Sequence, residues 1–162
     1  MKLAAAAIGF LGMLAASANA APQTIYVMRH LQRDAGADPS LNAVGQANAA
    51  RLAGWFGHDR PIAIFVTPYK RTRETVAPLA AKLGLVPRDY DPRDIAGLVA
   101  AVSAAKGPVL VVGHSNTVPA IVHALGGPEA PELADDDYAR IWIVKDGGKT
   151  VTIVPLSEKQ PR

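Results

Sequence analysis

The run Val109–Ser115, VLVVGHS, places four aliphatic residues before a glycine and a histidine. A second run of the same kind, Ile25–His30 (IYVMRH), also ends on a histidine. Short apolar runs rich in β-branched residues are typical of buried parallel strands. In open α/β sheets, ligands bind beyond the carboxyl ends of the strands. The sequence therefore predicts that His30 and His114 lie at the edge of a sheet where such folds carry out chemistry.

Strands and helices alternate along the chain, which predicts an α/β fold with a largely parallel sheet. Asn42 is placed to cap a helix that ends near Phe56, and Thr67 with Pro68 is placed to open the next helix. We expect Pro78 to kink or split that second helix, because proline removes a backbone donor. The predicted strands are residues 23–28, 62–66, 86–90 and 108–113, followed by a hairpin of residues 138–145 and 149–155.

The first twenty residues have the pattern of a secretory signal peptide. Lys2 is followed by the apolar stretch Leu3–Ala16 and by the small-residue cleavage site Ala18–Ala20. The apolar stretch is shorter than the about 20 residues that a membrane-spanning helix needs. We therefore expect cleavage near Ala20, export to a bacterial periplasm, and one mature domain over residues 21–162.

Composition excludes several classes of function. The chain has no cysteine, so it has no disulfide, no thiolate nucleophile and no zinc–thiolate site. Its 17 Lys and Arg residues against 14 Asp and Glu residues give a net charge of only +3. This balance gives no electrostatic case for a nucleic-acid partner or an anionic membrane surface. We expect no membrane span after signal-peptide cleavage.

Several cationic or donor groups are predicted to meet at the edge that holds the two histidines. Arg29 precedes His30, and four residues separate Arg71 from Val66, where the preceding strand ends. Two helix N-termini, after Thr67 and Ser115, also open there and attract anions. Guanidinium groups suit phosphate oxygens. The combined pattern predicts an oxyanion pocket that contains a histidine.

Four short motifs follow one another in an order that is similar to that of a known family. They are Arg29–Gln32 (RHLQ), Leu41–Ala49 (LNAVGQANA), Thr67–Val76 (TPYKRTRETV) and Val111–Ser115 (VVGHS). Together they resemble the histidine phosphatase superfamily, the phosphoglycerate-mutase-like proteins, and the short exported chain resembles its small bacterial members. The resemblance implies a three-layer α/β/α sandwich with a mostly parallel central sheet and a C-terminal hairpin or antiparallel edge.

The resemblance also implies roles for the site residues. His30 would attack phosphorus and form a phosphohistidine that water hydrolyses. Arg29, Arg71 and a protonated His114 would bind the phosphoryl group, and Ser115 would donate from its backbone or hydroxyl. No metal or other cofactor is implied, because these cations supply the positive charge. The implied function is a metal-independent phosphomonoesterase, and the implied partner is a phosphorylated small molecule or a phosphoprotein.

The chain departs from the family pattern in the proton donor. Family members often carry a carboxylic acid that protonates the leaving oxygen, usually in a Leu-x-Glu context, and no such Glu directly follows residues 108–113 here. Asp91 is the nearest acid in position and Asp94 the next, although each is also placed to cap the following helix. Leu31 replaces a small residue, and Arg33 is either a further phosphate ligand or a solvated side chain. Without an acid, good leaving groups such as phosphohistidine or aryl phosphates would be favoured.

Other functions remain open at this stage. The same fold can serve as a non-catalytic module that binds phosphate or a phospho-ligand, or as a phosphohistidine-specific protein phosphatase. A serine-hydrolase elbow at Gly113–Thr117 is disfavoured, because its second glycine is missing and no histidine follows Asp135–Asp137. A metal held by the two histidines is opposed by the neighbouring arginines.

Overall fold

The computed structural model describes residues 23–161, so the predicted signal peptide over residues 1–20 lies outside the described residues. Six strands and four α-helices occur in the described part of the chain. In chain order they are β1 Ile25–Arg29, α1 Ala43–Trp55, β2 Ala63–Val66, α2 Lys70–Leu83, β3 Arg88–Asp89, α3 Ile95–Ser103, β4 Val109–Gly113, α4 Thr117–Ala124, β5 Arg140–Lys145 and β6 Thr150–Pro155. A short 3-10 turn, Asp146–Gly148, joins β5 to β6.

The strands form one mixed sheet in the order β3-β2-β4-β1-β5-β6. The first four of these are parallel to one another, and β5 and β6 add an antiparallel edge. This arrangement confirms the predicted, mostly parallel sheet and the terminal hairpin. The pairing of β1 with β4 places Arg29 opposite Gly113. The residues that follow these two, His30 and His114, therefore emerge side by side.

Helices cover both faces of the sheet and complete the predicted three-layer α/β/α sandwich. Alternate side chains of β1 enter different cores, because successive strand residues point to opposite faces. Tyr26 and Met28 lie in the core beneath α1 and α2. Ile25 and Val27 lie in the core beneath α3 and α4. Burial of each large apolar side chain contributes about 1.5–3 kcal/mol, so the sheet is held from both sides.

The start of α1 is fixed close to the segment that follows His30. Asn42 caps the helix as predicted, and its Oδ1 accepts a hydrogen bond of 2.9 Å from the Gly45 amide. Gly45 packs so tightly that a Cβ at this position would collide with the carbonyl oxygen of Gln32. The Asn42 amide donates to that same carbonyl at 3.1 Å. Glycine is therefore required where α1 touches the backbone next to the site.

The start of α2 differs from the prediction. The helix begins at Lys70 with Tyr69 at the N-cap, and Thr67 with Pro68 lies outside it. The hydroxyl of Thr67 hydrogen-bonds to Thr72 and to the ring of His114 instead. The side chain of Thr67, which the local sequence pattern assigns to a helix cap, therefore binds His114, which is distant in sequence.

Pro78 does not split α2, so of the two predicted effects, a kink or a split, the split is wrong. The helix is continuous through Pro78 and ends at Gly84, whose φ of 65° is left-handed, as expected for a glycine that closes a helix. Pro78 lies on the exposed face of α2. Water can therefore hydrogen-bond the Glu74 carbonyl, which has lost its intrahelical donor.

Candidate active site

A polar cleft of about 370 Å³ opens at the carboxyl ends of the parallel strands. It brings together five of the six residues predicted for the site, which are Arg29, His30, Arg71, His114 and Ser115. The sixth, Asp91, is not among the lining residues. The remaining lining residues are Arg33, Tyr69, Pro92, Arg93, Asn116, Thr117 and Asp135.

The ring of His30 is buried and held in one tautomer. Only 3% of the residue is exposed, and its Nδ1 lies 2.8 Å from the carbonyl oxygen of Leu31. A carbonyl can only accept, so Nδ1 carries the proton and the lone pair of the neutral ring is on Nε2. Burial lowers the pKa of His30 to about 3, helped by the charges of His114, Arg71 and Arg29 and opposed by the Leu31 hydrogen bond. His30 is thus a neutral imidazole at pH 7.

Backbone contacts fix the segment that carries His30. Its amide donates to the Gly113 carbonyl at 2.9 Å, which extends the β1–β4 ladder by one residue. The next amide, of Leu31, donates to Thr75 Oγ1 at 3.0 Å, and that hydroxyl donates to the Arg71 carbonyl at 2.7 Å. The nucleophile candidate and the first turns of α2 are therefore tied to each other.

The ring of His114 is held by side chains. Its Nδ1 lies 3.4 Å from Arg71 Nη2, and its Nε2 lies 2.9 Å from Thr67 Oγ1. A guanidinium only donates, so Nδ1 accepts and Nε2 donates its proton to Thr67. The ring centroids of His114 and His30 are 5.4 Å apart. Burial, followed by the charges of Arg71, Arg29 and Arg33, lowers the pKa of His114 to about 4.

The surrounding protein groups therefore keep His114 neutral at pH 7, which differs from the expected protonated ring. Besides burial, the positive charges of Arg71 and Arg29 disfavour a third positive charge on the neighbouring His114 ring. The positive charge of the cleft comes from its arginines.

Arg29 is a buried cation with no carboxylate partner among the described residues. Only 5% of the residue is exposed, and Nη1 donates to the Ala134 carbonyl at 2.8 Å and to the Asp135 and Asp137 carbonyls at 3.3 Å. Its guanidinium lies 4.1 Å from the centre of the Tyr138 ring. Carbonyl dipoles and the ring face stabilise the charge without neutralising it.

Arg71 approaches the cleft from the first turn of α2. Its guanidinium lies 4.4 Å from the centre of the Tyr69 ring and 3.6 Å from an Asp38 carboxylate oxygen. Among the described residues, the Nε atoms of both Arg71 and Arg29 are buried without a hydrogen-bond partner. A buried donor without an acceptor is costly, so both side chains are suited to an anionic ligand.

The remaining predicted residues are placed less favourably for the roles assigned to them. The Ser115 hydroxyl donates to Glu132 Oε1 at 3.0 Å. The exposed Asp91 carboxylate accepts hydrogen bonds of 2.9 and 3.1 Å from the Arg93 guanidinium, and these lower its pKa. A carboxyl that is ionised more readily is a poorer proton donor at neutral pH. Asp94, the alternative acid, caps α3 through the Gly97 amide.

Sequence reasoning missed two tyrosines and a threonine that contact Arg29, Arg71 or His114. Tyr69 is two residues from Arg71, and its aromatic type beside a basic cluster was the available signal. Tyr138 lies far from Arg29 in sequence, so no local pattern connects it with the arginine over its ring. Thr67 was assigned to a helix cap and holds His114 instead.

Two further findings describe the rest of the surface. A larger cleft, of about 750 Å³, lies at the end of α1 against residues 156–160 and shares no lining residue with the histidine cleft. Within residues 23–161, no group of three or more His, Cys, Asp or Glu side chains is arranged to hold a metal ion. The same residues contain no helix with the length and apolar character needed to span a membrane.

Comparison with known proteins agrees with this geometry. The model of the histidine phosphatase superfamily (branch 1) matches residues 25–95. No curated protein matches the chain in sequence. The match to the family model covers less than half of the chain, and it is a similarity to the superfamily over the segment that carries Arg29, His30 and Arg71.

Solved structures share the fold at low sequence identity. A protein histidine phosphatase, SixA, solved with tungstate, has a TM-score of 0.67 at 21% identity over 83% of this chain and 98% of its own. A candidate phosphohistidine phosphatase SixA from Nakamurella multipartitia gives 0.61 at 26% identity over 80% and 87%. The mycobacterial glucosyl-3-phosphoglycerate phosphatase gives 0.64 at 17% identity over 83% and 97%.

Proposed function

We propose that the chain is a metal-independent phosphomonoesterase that works through a phosphohistidine on His30. The observation that carries the proposal is the hydrogen bond from His30 Nδ1 to the Leu31 carbonyl. It puts the lone pair on Nε2, and the lowered pKa of the ring keeps this lone pair free of a proton at neutral pH. A neutral, oriented imidazole is what nucleophilic attack on phosphorus requires.

The reaction would proceed in two displacements. Nε2 of His30 bonds to phosphorus, the bond to the leaving atom breaks, and the leaving atom keeps that electron pair. A basic leaving atom then takes a proton from solvent. Water then bonds to phosphorus, the phosphorus–nitrogen bond breaks, and its electron pair returns to Nε2 as inorganic phosphate departs. The water proton passes to solvent.

The arginines would supply charge stabilisation during both displacements. Arg29 and Arg71 present guanidinium groups to the same cleft as His30, and donors positioned in advance stabilise the charge of the transferring phosphoryl group. A bound phosphoryl dianion would also raise the pKa of His114 toward protonation, because an opposite charge favours the charged form. Protonation would turn His114 Nδ1, which accepts from Arg71 in the free protein, into a second donor of the ring.

The leaving group offers a second, narrower candidate function, a phosphohistidine protein phosphatase. The expected acid, Asp91, is held by Arg93 and lies outside the cleft lining. The imidazole of a phosphohistidine can leave as a neutral ring when its distal nitrogen is protonated, so it needs no acid from the enzyme. Two of the structures that share the fold are named as phosphatases of this type.

Hydrolysis of para-nitrophenyl phosphate in excess EDTA tests the main proposal. We expect turnover that the chelator does not change, and a phosphoenzyme that survives an alkaline detergent quench and maps to His30 by mass spectrometry. Phosphate binding without turnover would establish a binding module instead. Loss of turnover in EDTA would establish a metal-dependent reaction.

A phosphohistidine peptide, compared with alkyl phosphates, separates the two candidate functions. Turnover of the peptide at a rate well above that of all the phosphate esters supports the narrower function. Efficient turnover of alkyl phosphates contradicts it.

We also propose export after cleavage near Ala20, which the sequence pattern supports. Sequencing of the N-terminus of protein from a bacterial periplasmic fraction should give Ala21 first. A mature protein that begins at Met1 would contradict the proposal.

A further inference from the structure

Arginines outnumber carboxylates among the residues that line the cleft. Four arginines line it, Arg29, Arg33, Arg71 and Arg93, against one carboxylate, Asp135. Two of the four have carboxylate partners at their guanidinium groups, since Asp38 lies 3.6 Å from Arg71 and Asp91 lies 2.9 Å from Arg93. Arg29, which has none, is buried in the cleft.

Arg33 is exposed at the cleft and has no carboxylate within 4.0 Å among the described residues. The hydrogen bond that its guanidinium makes within the described chain is to the neighbouring Asp34 carbonyl, at 2.9 Å. Its charge contributes to the lowered pKa values of Arg71 and His114. Arg33 is therefore electrostatically coupled to the site while its guanidinium has no acidic partner.

The backbone that carries Arg33 is fixed. Residue 33 forms a β-bridge with Leu41, and its carbonyl accepts from Asn42 Nδ2 at 3.3 Å. The amide of the next residue, Asp34, donates to the Ser40 carbonyl at 3.1 Å. Arg33 is thus anchored three residues after His30, and only its side chain remains to be ordered by a ligand. This anchoring reduces the entropy cost of using Arg33 as a ligand-binding group.

We propose that Arg33 binds a second anionic group, a carboxylate or a second phosphate, on the part of the substrate beyond the transferred phosphoryl group. The proposal rests on the proposed phosphatase function and names its substrate class, a phosphomonoester that carries another anion near the ester. Arg29 and the largely buried Arg71 lie beside the two histidines, where the phosphoryl group would bind, whereas Arg33 is exposed and has no acidic partner. The cleft volume of about 370 Å³ has room for more than a phosphoryl group.

Binding of stable phosphonates tests this proposal without turnover. Phenylphosphonate is compared by calorimetry with its 3-carboxy and 4-carboxy derivatives, which differ only in the added anion and its position. We expect the wild-type protein to prefer at least one carboxylated ligand by roughly tenfold, the range of a charge-assisted hydrogen bond. Arg33→Gln should remove this preference and change phenylphosphonate affinity by less than about threefold.

Arg60→Gln is the matched control, because Arg60 is an exposed arginine that does not line the cleft. It should keep the preference. Equal affinities for all three phosphonates in the wild-type protein, or no binding of any of them, would overturn the proposal. An equal loss for all three in Arg33→Gln would also overturn it, since Arg33 would then bind the phosphoryl group itself.

The outcome is separable from that of the proposed function. A protein that prefers the carboxylated phosphonates and turns over no phosphate ester keeps this inference and loses the catalytic proposal. A protein that hydrolyses esters with no such preference loses only this inference.

Discussion

His30 and His114 follow neighbouring parallel strands, but different kinds of atoms hold their rings. The ring of His30 is fixed by the carbonyl of Leu31, whereas that of His114 is fixed by the side chains of Thr67 and Arg71. A backbone acceptor survives any side-chain substitution at its own position, and a side-chain acceptor does not. The tautomer of His30 is therefore set by the path of the backbone, whereas the hydrogen bonds of His114 can be changed by single side-chain substitutions.

The largest expected effect comes from removing each ring in turn. His30→Ala should lower kcat for para-nitrophenyl phosphate by roughly 10⁴-fold or more, because the nucleophile is lost. His114→Ala should cost about 10²–10³-fold, the range for one donor that stabilises charge. Circular dichroism checks that both variants fold. Equal losses in the two variants would remove the distinction between the rings.

Gly45→Ala should disturb the backbone segment that follows His30. The added methyl group would collide with the Gln32 carbonyl, two residues from His30. We expect a loss of about 1–3 kcal/mol in the free energy of unfolding, as for overpacking, together with reduced kcat. Gly54→Ala is the matched control in the same helix, because a methyl group there meets no atom within 4 Å. Unchanged stability and kcat in Gly45→Ala would refute the assigned contact.

Acid should destabilise the folded chain through His30. Its pKa falls from 6.5 to about 3 on folding. Below pH 6.5 the unfolded chain therefore binds a proton that the folded chain does not, and stability decreases as pH falls toward about 3. The limiting slope is about 1.4 kcal/mol per pH unit. Denaturant unfolding between pH 7 and pH 4 should show a shallower slope for His30→Gln than for the wild-type protein, and the exposed His58→Gln serves as control.

Thr67→Val should affect the ring of His114, which is held by side chains. It removes the acceptor of the His114 Nε2 proton while keeping the shape of the side chain. We expect kcat/KM to fall about tenfold, the cost of one buried hydrogen bond. Thr67→Ser keeps the hydroxyl and should restore most of the activity, which a purely structural role would not require. Thr152→Val, on exposed β6, should have no effect.

The smallest effect on para-nitrophenyl phosphate hydrolysis is expected for substitution of Asp91. Asp91→Asn should leave para-nitrophenyl phosphate hydrolysis within about twofold, because this leaving group needs no proton. The decisive measurement is the rate with an alkyl phosphate, made in parallel on Asp135→Asn. The variant, Asp91→Asn or Asp135→Asn, that loses activity only on alkyl phosphates would identify the proton donor. The contacts of Asp91 with Arg93 favour Asp135 as the affected residue.

Periodicity and residue type predicted the sheet, both its parallel part and its antiparallel edge, because each strand is a short apolar run with clear ends. The cap at Asn42 and the stop at Gly84 were also predicted, since both depend on neighbours within a few residues. Parallel strands end at one edge, so the meeting of His30, Arg71 and His114 followed from topology.

What the sequence could not predict depends on long-range contacts. Thr67 has the local pattern of a cap, and only the position of His114 explains its hydrogen bond. The protonation of His114 depends on burial beside two arginines, which residue type does not reveal. The placement of Arg93 on the cleft in place of Asp91 depends on how a loop turns.

The loop whose carbonyl groups bind Arg29 has a consequence for how the sequence of this protein can change. Carbonyl groups of residues 134, 135 and 137 hold the guanidinium, so these contacts depend on the path of the loop backbone and not on its side chains. Residues 128–131, which precede these carbonyl groups, are exposed and do not take part in the contacts with Arg29. New substrate ranges are therefore open to evolution, or to loop grafting, through the side chains of this connection without displacing the arginine beside the nucleophile.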